Sequence, residues 1–258
     1  MPRNSSLDKS AAANESSNHV VTATIIVLSD SHLARIPVDT EHGPDRGLEK
    51  AIELARPLKP DLVLLTGDIA NDASPEAYRR VRTMVGELGS PIIAIPGNHD
   101  HNDAVGDAFG WERDKNVANW RIVALDTAVV NQIHGRIDTE TVLTTLGHDT
   151  GKPTVLAMHH PPITTSTYPW FQLDGATSLV TALSQRSDIR CVITGHLHEA
   201  FHVTLGAITY IGCSSTWYSL SHHGETYEAD GGHVGALVIC LHDDGTFNWH
   251  RLPDPKNP

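Results

Sequence analysis

The sequence predicts an α/β (α+β) fold: a four-layer αββα sandwich, with two packed mixed β-sheets flanked by helices and the chemistry at the C-terminal ends of the strands. Three observations lead there. Short apolar, β-branched runs end five times in Gly, Asp, Asn or His. Strand patterning alternates with helical periodicity as far as about residue 95, the signature of a parallel, helix-covered sheet. After Ala200 the helices cease and the segments read as antiparallel strands, so strands crowd both ends of the chain and two packed sheets account for them.

Residues 1–18 are rich in Ser, Asn and Ala without periodicity and read as a disordered tail, leaving 19–258 as a single domain. The first strand, about Val20 to Leu28, delivers Asp30 and His32. A loop through Pro37 and Gly43-Pro44 leads to a helix over Asp45–Ala55 with Leu48, Ile52 and Leu54-Ala55 on its apolar face, and Pro57 and Pro60 stop it. The second strand, Asp61–Thr66, ends in Gly67-Asp68. Ser74 before Pro75 is an N-cap followed by proline at the first helical position, opening a helix to about Leu88. The run from Pro91 ends in Gly97, Asn98, His99 and Asp100.

Trp120–Asp126 is the next strand, and Asp138 caps a helix to about Leu146. Pro153–Met158 leads to His159 and His160. A loop over Pro161–Pro169 precedes Trp170 and Phe171, and a helix over Ala176–Gln185 returns to the strand Cys191–Thr194, which ends in Gly195-His196-Leu197-His198. Near the end, Asp244-Gly245 marks a hairpin.

Composition narrows the function classes. At 258 residues the chain can bury a full core. A formal charge of −12 with no Lys/Arg run argues against a polymeric nucleic-acid surface, which needs clustered cations. An anionic substrate must then be attracted locally, by metal ions. Cys191, Cys213 and Cys240 are widely spaced with no CxxC, and read as reduced thiols of a cytoplasmic protein. With no apolar run of membrane-spanning length and no signal-like h-region, no membrane partner is expected.

The five strand ends hold seven candidate metal ligands. Asp30 and His32, two residues apart, can project to one side and bite one cation, and the Asp68 carboxylate can bridge two. Asn98 offers a neutral oxygen, and His159, His196 and His198 offer imidazoles. Hard oxygen mixed with imidazole suits Fe, Mn, Zn or Co, and no cysteine joins them to suggest a thiolate-rich structural zinc site. Seven ligands exceed what one tetrahedral ion takes, whereas two ions sharing Asp68 accommodate them. Singly, each residue has a plainer explanation: Asp30 and Asp68 as caps or loop carboxylates, Asn98 as a turn residue, His159 and His160 as hydrogen-bonded strand-end imidazoles. Independent capping and turn roles have no reason to produce an ordered ligand set.

The ordered set Asp30-Ser31-His32, Gly67-Asp68, Gly97-Asn98-His99-Asp100, His159 and Gly195-His196-Leu197-His198 resembles the calcineurin-like metallophosphoesterases, from about Thr24 to the end of the chain. The resemblance implies Asp30, His32, Asp68 and His198 around a first metal and Asp68, Asn98, His159 and His196 around a second, with a water or hydroxide between them. It also implies that His99 acts at the phosphoryl group or leaving oxygen and that Asp100 orients its ring.

Within that superfamily, His159-His160-Pro161-Pro162, the compact length and the Gly195–His198 motif are similar to bacterial class III cyclic-nucleotide phosphodiesterases and related glycerophosphodiesterases. The activity so implied is hydrolysis of a small phosphodiester, 3′,5′-cyclic AMP foremost, in a subfamily where homodimers are common. A glycerophosphodiesterase, a broad phosphomonoesterase, a short-oligonucleotide nuclease and a non-catalytic scaffold stay open. Loss of Asp68 or His99 would mark the scaffold, and neither is lost. Substrate contacts are expected from loops around Asn71, Asn102-Asp103, His134, Tyr168–Phe171 and Trp217–His223.

Overall fold

A computed structural model of the protein describes residues 20–38, 40–230 and 232–253, so the tail expected at 1–18 lies outside the described residues. The first half alternates as its periodicity requires: β1 (Val21–Leu28), α1 (Pro44–Ala55), β2 (Leu62–Thr66), α2 (Pro75–Gly86) and β3 (Ile92–Ile95). Pro44 occupies the first turn of α1, where a missing amide hydrogen costs nothing, and the Ser74 hydroxyl caps α2 by accepting from the Ala77 amide. Then come α3 (Asn102–Phe109), β4 (Asp114–Val117), β5 (Trp120–Leu125), β6 (Gly135–Arg136), α4 (Thr139–Leu146), β7 (Thr154–Met158), β8 (Leu173–Asp174), α5 (Ala176–Leu183) and β9 (Ile189–Thr194). The chain closes with β10 (Phe201–Leu205), β11 (Ile208–Gly212), β12 (Ser219–His223), β13 (Thr226–Asp230), β14 (Ala236–His242) and β15 (Phe247–Leu252).

Two mixed sheets result. One has the order β15-β14-β1-β2-β3, the other β10-β11-β9-β7-β5-β4. β1, β2 and β3 are parallel, with Val27 beside Leu64 and Leu65 beside Ala94, whereas β14 runs antiparallel to β1. The two-residue period of each strand decides which layer its side chains enter. Ala23, Ile25 and Val27 meet Ile122, Val155 and Ile193 between the sheets. Ile26 and Leu28 turn the other way, onto Leu48 and Ile52 of α1 and Val81 and Val85 of α2. On the far side, Leu156, Met158 and Val192 pack with Val142 and Leu146 of α4 and Leu179 and Leu183 of α5. Three apolar layers thus separate four structural ones, the αββα sandwich the sequence predicts.

Asn102 and Asp103, expected in a loop, open α3 instead. The helix is short and carries Gly106 inside it, so propensity hides it. The Trp111 ring packs over that glycine, where a side chain would displace it. The three cysteines are free, with Cys191 and Cys213 buried and Cys240 half-buried, and burial pushes their thiols up. Among the described residues no helix is long and apolar enough to cross a membrane.

Candidate metal centre

All seven candidate ligands follow the C-terminal ends of parallel neighbours, β1, β2 and β3 in one sheet and β7 and β9 in the other. To turn the ligands inward, the backbone leaves the ordinary regions. Asp30, His32, Asp68, His196 and His198 all have positive φ, from 47° to 70°, a left-handed conformation that costs a non-glycine residue roughly 1–2 kcal/mol each. Strain of this kind persists only where surrounding contacts over-determine it, and it concentrates at functional sites. The loops also approach closely: a Cβ on Gly97 would strike the Asp68 carboxylate, and one on Gly195 would strike Ser29 and Asp30.

The side chains gather in two groups. In the first, His32 Nε2 lies 3.1 Å from His198 Nε2 and 3.5 Å from Asp68 Oδ2, and His198 Nε2 lies 3.5 Å from Asp30 Oδ1. In the second, His159 Nε2 lies 3.2 Å from Asn98 Oδ1 and 3.5 Å from Asp68 Oδ1, with the ring of His196 5.0 Å away between centroids. The two oxygens of Asp68 therefore face different groups.

Backbone carbonyls orient three of the imidazoles. Since a carbonyl only accepts, the ring nitrogen facing it carries the hydrogen and the other keeps its lone pair. His159 donates from Nδ1 to Thr66 O at 2.8 Å, His198 from Nδ1 to Tyr218 O at 3.2 Å, and His196 from Nε2 to Trp170 O at 2.9 Å. The free lone pairs of His159 and His198 are the ones found in the two groups.

His160 lies close to His159 and His196, and these three also form a group of metal-binding type. Its Nδ1 faces Thr127 Oγ1 at 2.8 Å and its Nε2 faces Ile133 O at 2.9 Å, so neither nitrogen is free to ligate.

The electrostatics fit cations. Burial drives His32 down to about 3 and His196 and His198 down to about 4, and holds His159 well below its usual value, so the imidazoles are neutral. Burial pushes the Asp30 carboxyl up to about 7 despite its hydrogen bonds from Ser29 and the His196 amide. Potential ligand atoms of Asp30, His32, Asp68 and His198 converge and are buried throughout, and those of the His159, His160 and His196 rings converge likewise. Mixed carboxylate, amide and imidazole donors of this kind suit a divalent metal in each group.

His99 stands outside both groups, exposed, with its ring edge-on to His32 at 4.7 Å. Its Nδ1 donates to Asn71 O at 3.1 Å. Asp100 does not orient it, contrary to the expectation from sequence. The Asp100 carboxylate accepts from the amides of Ile69, Ala70 and Gly97 at 2.9–3.0 Å and from the Tyr78 hydroxyl at 2.9 Å, tying the loop after β2 to the loop after β3. The carbonyls of Thr66, Asn71, Trp170 and Tyr218 escaped sequence reasoning because every residue type carries the same carbonyl.

Fold and site together define a metal-dependent phosphoester hydrolase. Residues 23–200 match the model of the calcineurin-like phosphoesterases, and the chain belongs to that family. A probable cyclic nucleotide phosphodiesterase of Synechococcus is 35% identical over 167 residues, 61% of this chain, which spans 65% of that protein's length. The 3′,5′-cyclic adenosine monophosphate phosphodiesterase CpdA of Pseudomonas aeruginosa is 29% identical over 238 residues, 86% of each chain. Among solved structures, a dimetal phosphatase from Danio rerio has a TM-score of 0.63 at 15% identity, covering 87% of this chain and 94% of that one, a likeness of fold.

Proposed function

We infer that the protein is a phosphodiesterase hydrolysing 3′,5′-cyclic nucleotides, cyclic AMP foremost, with two ions drawn from Fe, Mn, Zn or Co. The observation that carries the substrate is the likeness to CpdA over 86% of both chains. Asp30, His32, Asp68 and His198 hold one ion, and Asp68, Asn98, His159 and His196 the other. Such ions, when bound, supply Lewis-acid stabilisation of phosphoryl charge and a nucleophile at neutral pH.

The chain's own part is positional and protonic. Asp68, facing both groups, sets their separation. The carbonyls of Thr66, Tyr218 and Trp170 hold the ligand rings, so no rotation is needed as charge develops. His99, pinned through Nδ1, has Nε2 left for the leaving oxygen. Protonated, it donates to the ribose 3′-oxygen as the P–O bond breaks, and the product is a 5′-nucleotide.

The test is hydrolysis by metal-reconstituted protein of bis(p-nitrophenyl) phosphate against p-nitrophenyl phosphate, with cyclic AMP and glycerophosphocholine alongside. Diester turnover above monoester, with cyclic AMP cleaved, is expected. Glycerophosphocholine cleaved in its place would transfer the chain to the glycerophosphodiesterases, and no turnover with two metals bound would sink the enzymatic reading.

A further inference from the structure

The turn that presents the last two candidate ligands is tight and strained. His196 has φ 70° and His198 φ 50°, and between them the Leu197 amide closes onto Gly195 O at 2.8 Å. The Leu197 carbonyl lies in the same rigid peptide plane as the His198 nitrogen. The His198 side chain is anchored at Tyr218 O and its own carbonyl accepts from the Leu220 amide at 3.4 Å, so the orientation of that plane sets the left-handed φ of His198. His222 holds the plane: its Nε2 donates to Leu197 O at 2.9 Å.

His222 belongs to β12, in the two-stranded sheet with β13, and is buried. Its surroundings are apolar. The ring stands edge-on to Phe171 at 4.4 Å, and Phe171 and Leu197 cluster with Phe201 and Leu220. A ring nitrogen facing a carbonyl carries the hydrogen, so Nδ1 keeps a lone pair, and among the described residues that buried atom meets no hydrogen-bond partner. A hydrocarbon side chain would occupy this place without stranding a nitrogen. What the imidazole supplies and a hydrocarbon cannot is a hydrogen bond to the peptide between two ligands. The ring also backs His196, because Phe171 touches both imidazoles, 5.3 Å from His196 between centroids, and follows Trp170, whose carbonyl accepts from His196 Nε2.

We propose that His222 is a positioning residue of the metal centre. Its Nε2–H fixes the peptide between Leu197 and His198 so that the His198 Nε2 lone pair stays with Asp30, His32 and Asp68, and the affinity for an ion in that group depends on this bond. Partners that orient a ligand without touching the ion change metal affinity by roughly 10- to 100-fold when removed. The proposal rests on the two-ion reading above and adds to it a residue outside both ligand sets.

The experiment titrates the chelator-stripped full chain with Mn²⁺ alone, followed by calorimetry, and measures the urea midpoint of each stripped variant. Wild-type protein should take up two ions per chain. His222→Leu has a side chain of similar volume and no donor. Its urea midpoint should stay near wild type, since it removes the stranded Nδ1 while freeing the Leu197 carbonyl, yet one of the two ions should bind roughly tenfold or more less tightly. His222→Gln, whose amide nitrogen can take the place of Nε2, should bind both ions nearly as wild type does. His222→Phe, also without a donor, replaces the leucine variant if that one does not fold. Two ions in wild type with the donor-less variant equally tight would overturn the role of His222 alone, and so would equal losses in His222→Leu and His222→Gln. Fewer than two ions in wild type would overturn the two-ion reading and the proposal with it.

Discussion

His99 and Asn71 are joined by a hydrogen bond of 3.1 Å from the His99 Nδ1–H to the Asn71 backbone carbonyl. Asn71 lies three residues after Asp68, so the loop that presents the Asp68 carboxylate also aims the exposed imidazole. A backbone acceptor is held by the fold itself and survives most substitutions of Asn71. The Asp100 carboxylate has a structural task in the same neighbourhood: it accepts from four donors and fastens the two loops that carry Asp68 and His99.

Asp100→Ala should therefore act on stability first. It orphans three buried amides and the Tyr78 hydroxyl, and at roughly 1–3 kcal/mol per unsatisfied buried group, with partial relief by water, a loss of about 3 kcal/mol or more is expected. Tyr78→Phe removes one of those bonds and should cost only about 1 kcal/mol. Urea unfolding of both variants decides it. Wild-type stability in Asp100→Ala with turnover lost would return Asp100 to the role of orienting the His99 ring.

His99→Ala should retain two metal ions per chain, because the ring belongs to neither ligand group, yet slow the chemical step by roughly 10²- to 10⁴-fold. Metal analysis paired with single-turnover kinetics separates the two effects. Loss of an ion from this variant would make His99 a ligand.

Asp68→Ala should empty one or both metal positions and bring turnover to background, since its two oxygens face different donor groups at 3.5 Å each. A variant with both ions in place by elemental analysis would show that the groups do not share this carboxylate.

The metal-stripped protein should become more stable as pH rises from about 4 to about 6.5. His32, His159, His160, His196 and His198 are kept neutral by burial in the folded chain, whereas the unfolded chain protonates histidine near about 6.5. Folding therefore releases protons in this interval, and stability grows with pH. Asp30 and Asp100 work in the opposite sense: each keeps its proton up to about 7 when folded, while the unfolded carboxyl has released it near about 4. Five imidazoles outweigh two carboxyls. The urea midpoint of chelator-treated protein at pH 5 and pH 6.5 tests the balance, and a midpoint falling between them would mean the imidazoles are not buried neutral.

The fold was legible because strand burial and helix periodicity are written in residue types. Ile25 and Val27 alternate with Ile26 and Leu28 between two cores, and Ser74-Pro75 and Asp138 mark helix starts that the backbone keeps. The exceptions are α3, where Gly106 masks the helix, and the strands β4, β6 and β8, whose short or polar segments carry no alternation. The candidate ligands were legible for a related reason, since donor chemistry belongs to the side chain and strand ends place it at one edge of each sheet.

By itself, then, the sequence determined the main strands, most of the helices that separate them and the identity of the donors. Only the tertiary structure decided how those donors are held: left-handed backbone at Asp30, His32, Asp68, His196 and His198, carbonyls from distant loops that orient His99, His159, His196 and His198, and the partners that occupy both nitrogens of His160 and turn Asp100 away from His99. The physical reason is that a side chain's donors and acceptors are specified by its residue type, whereas a backbone carbonyl is common to all residues and gains its role only from where the fold sets it.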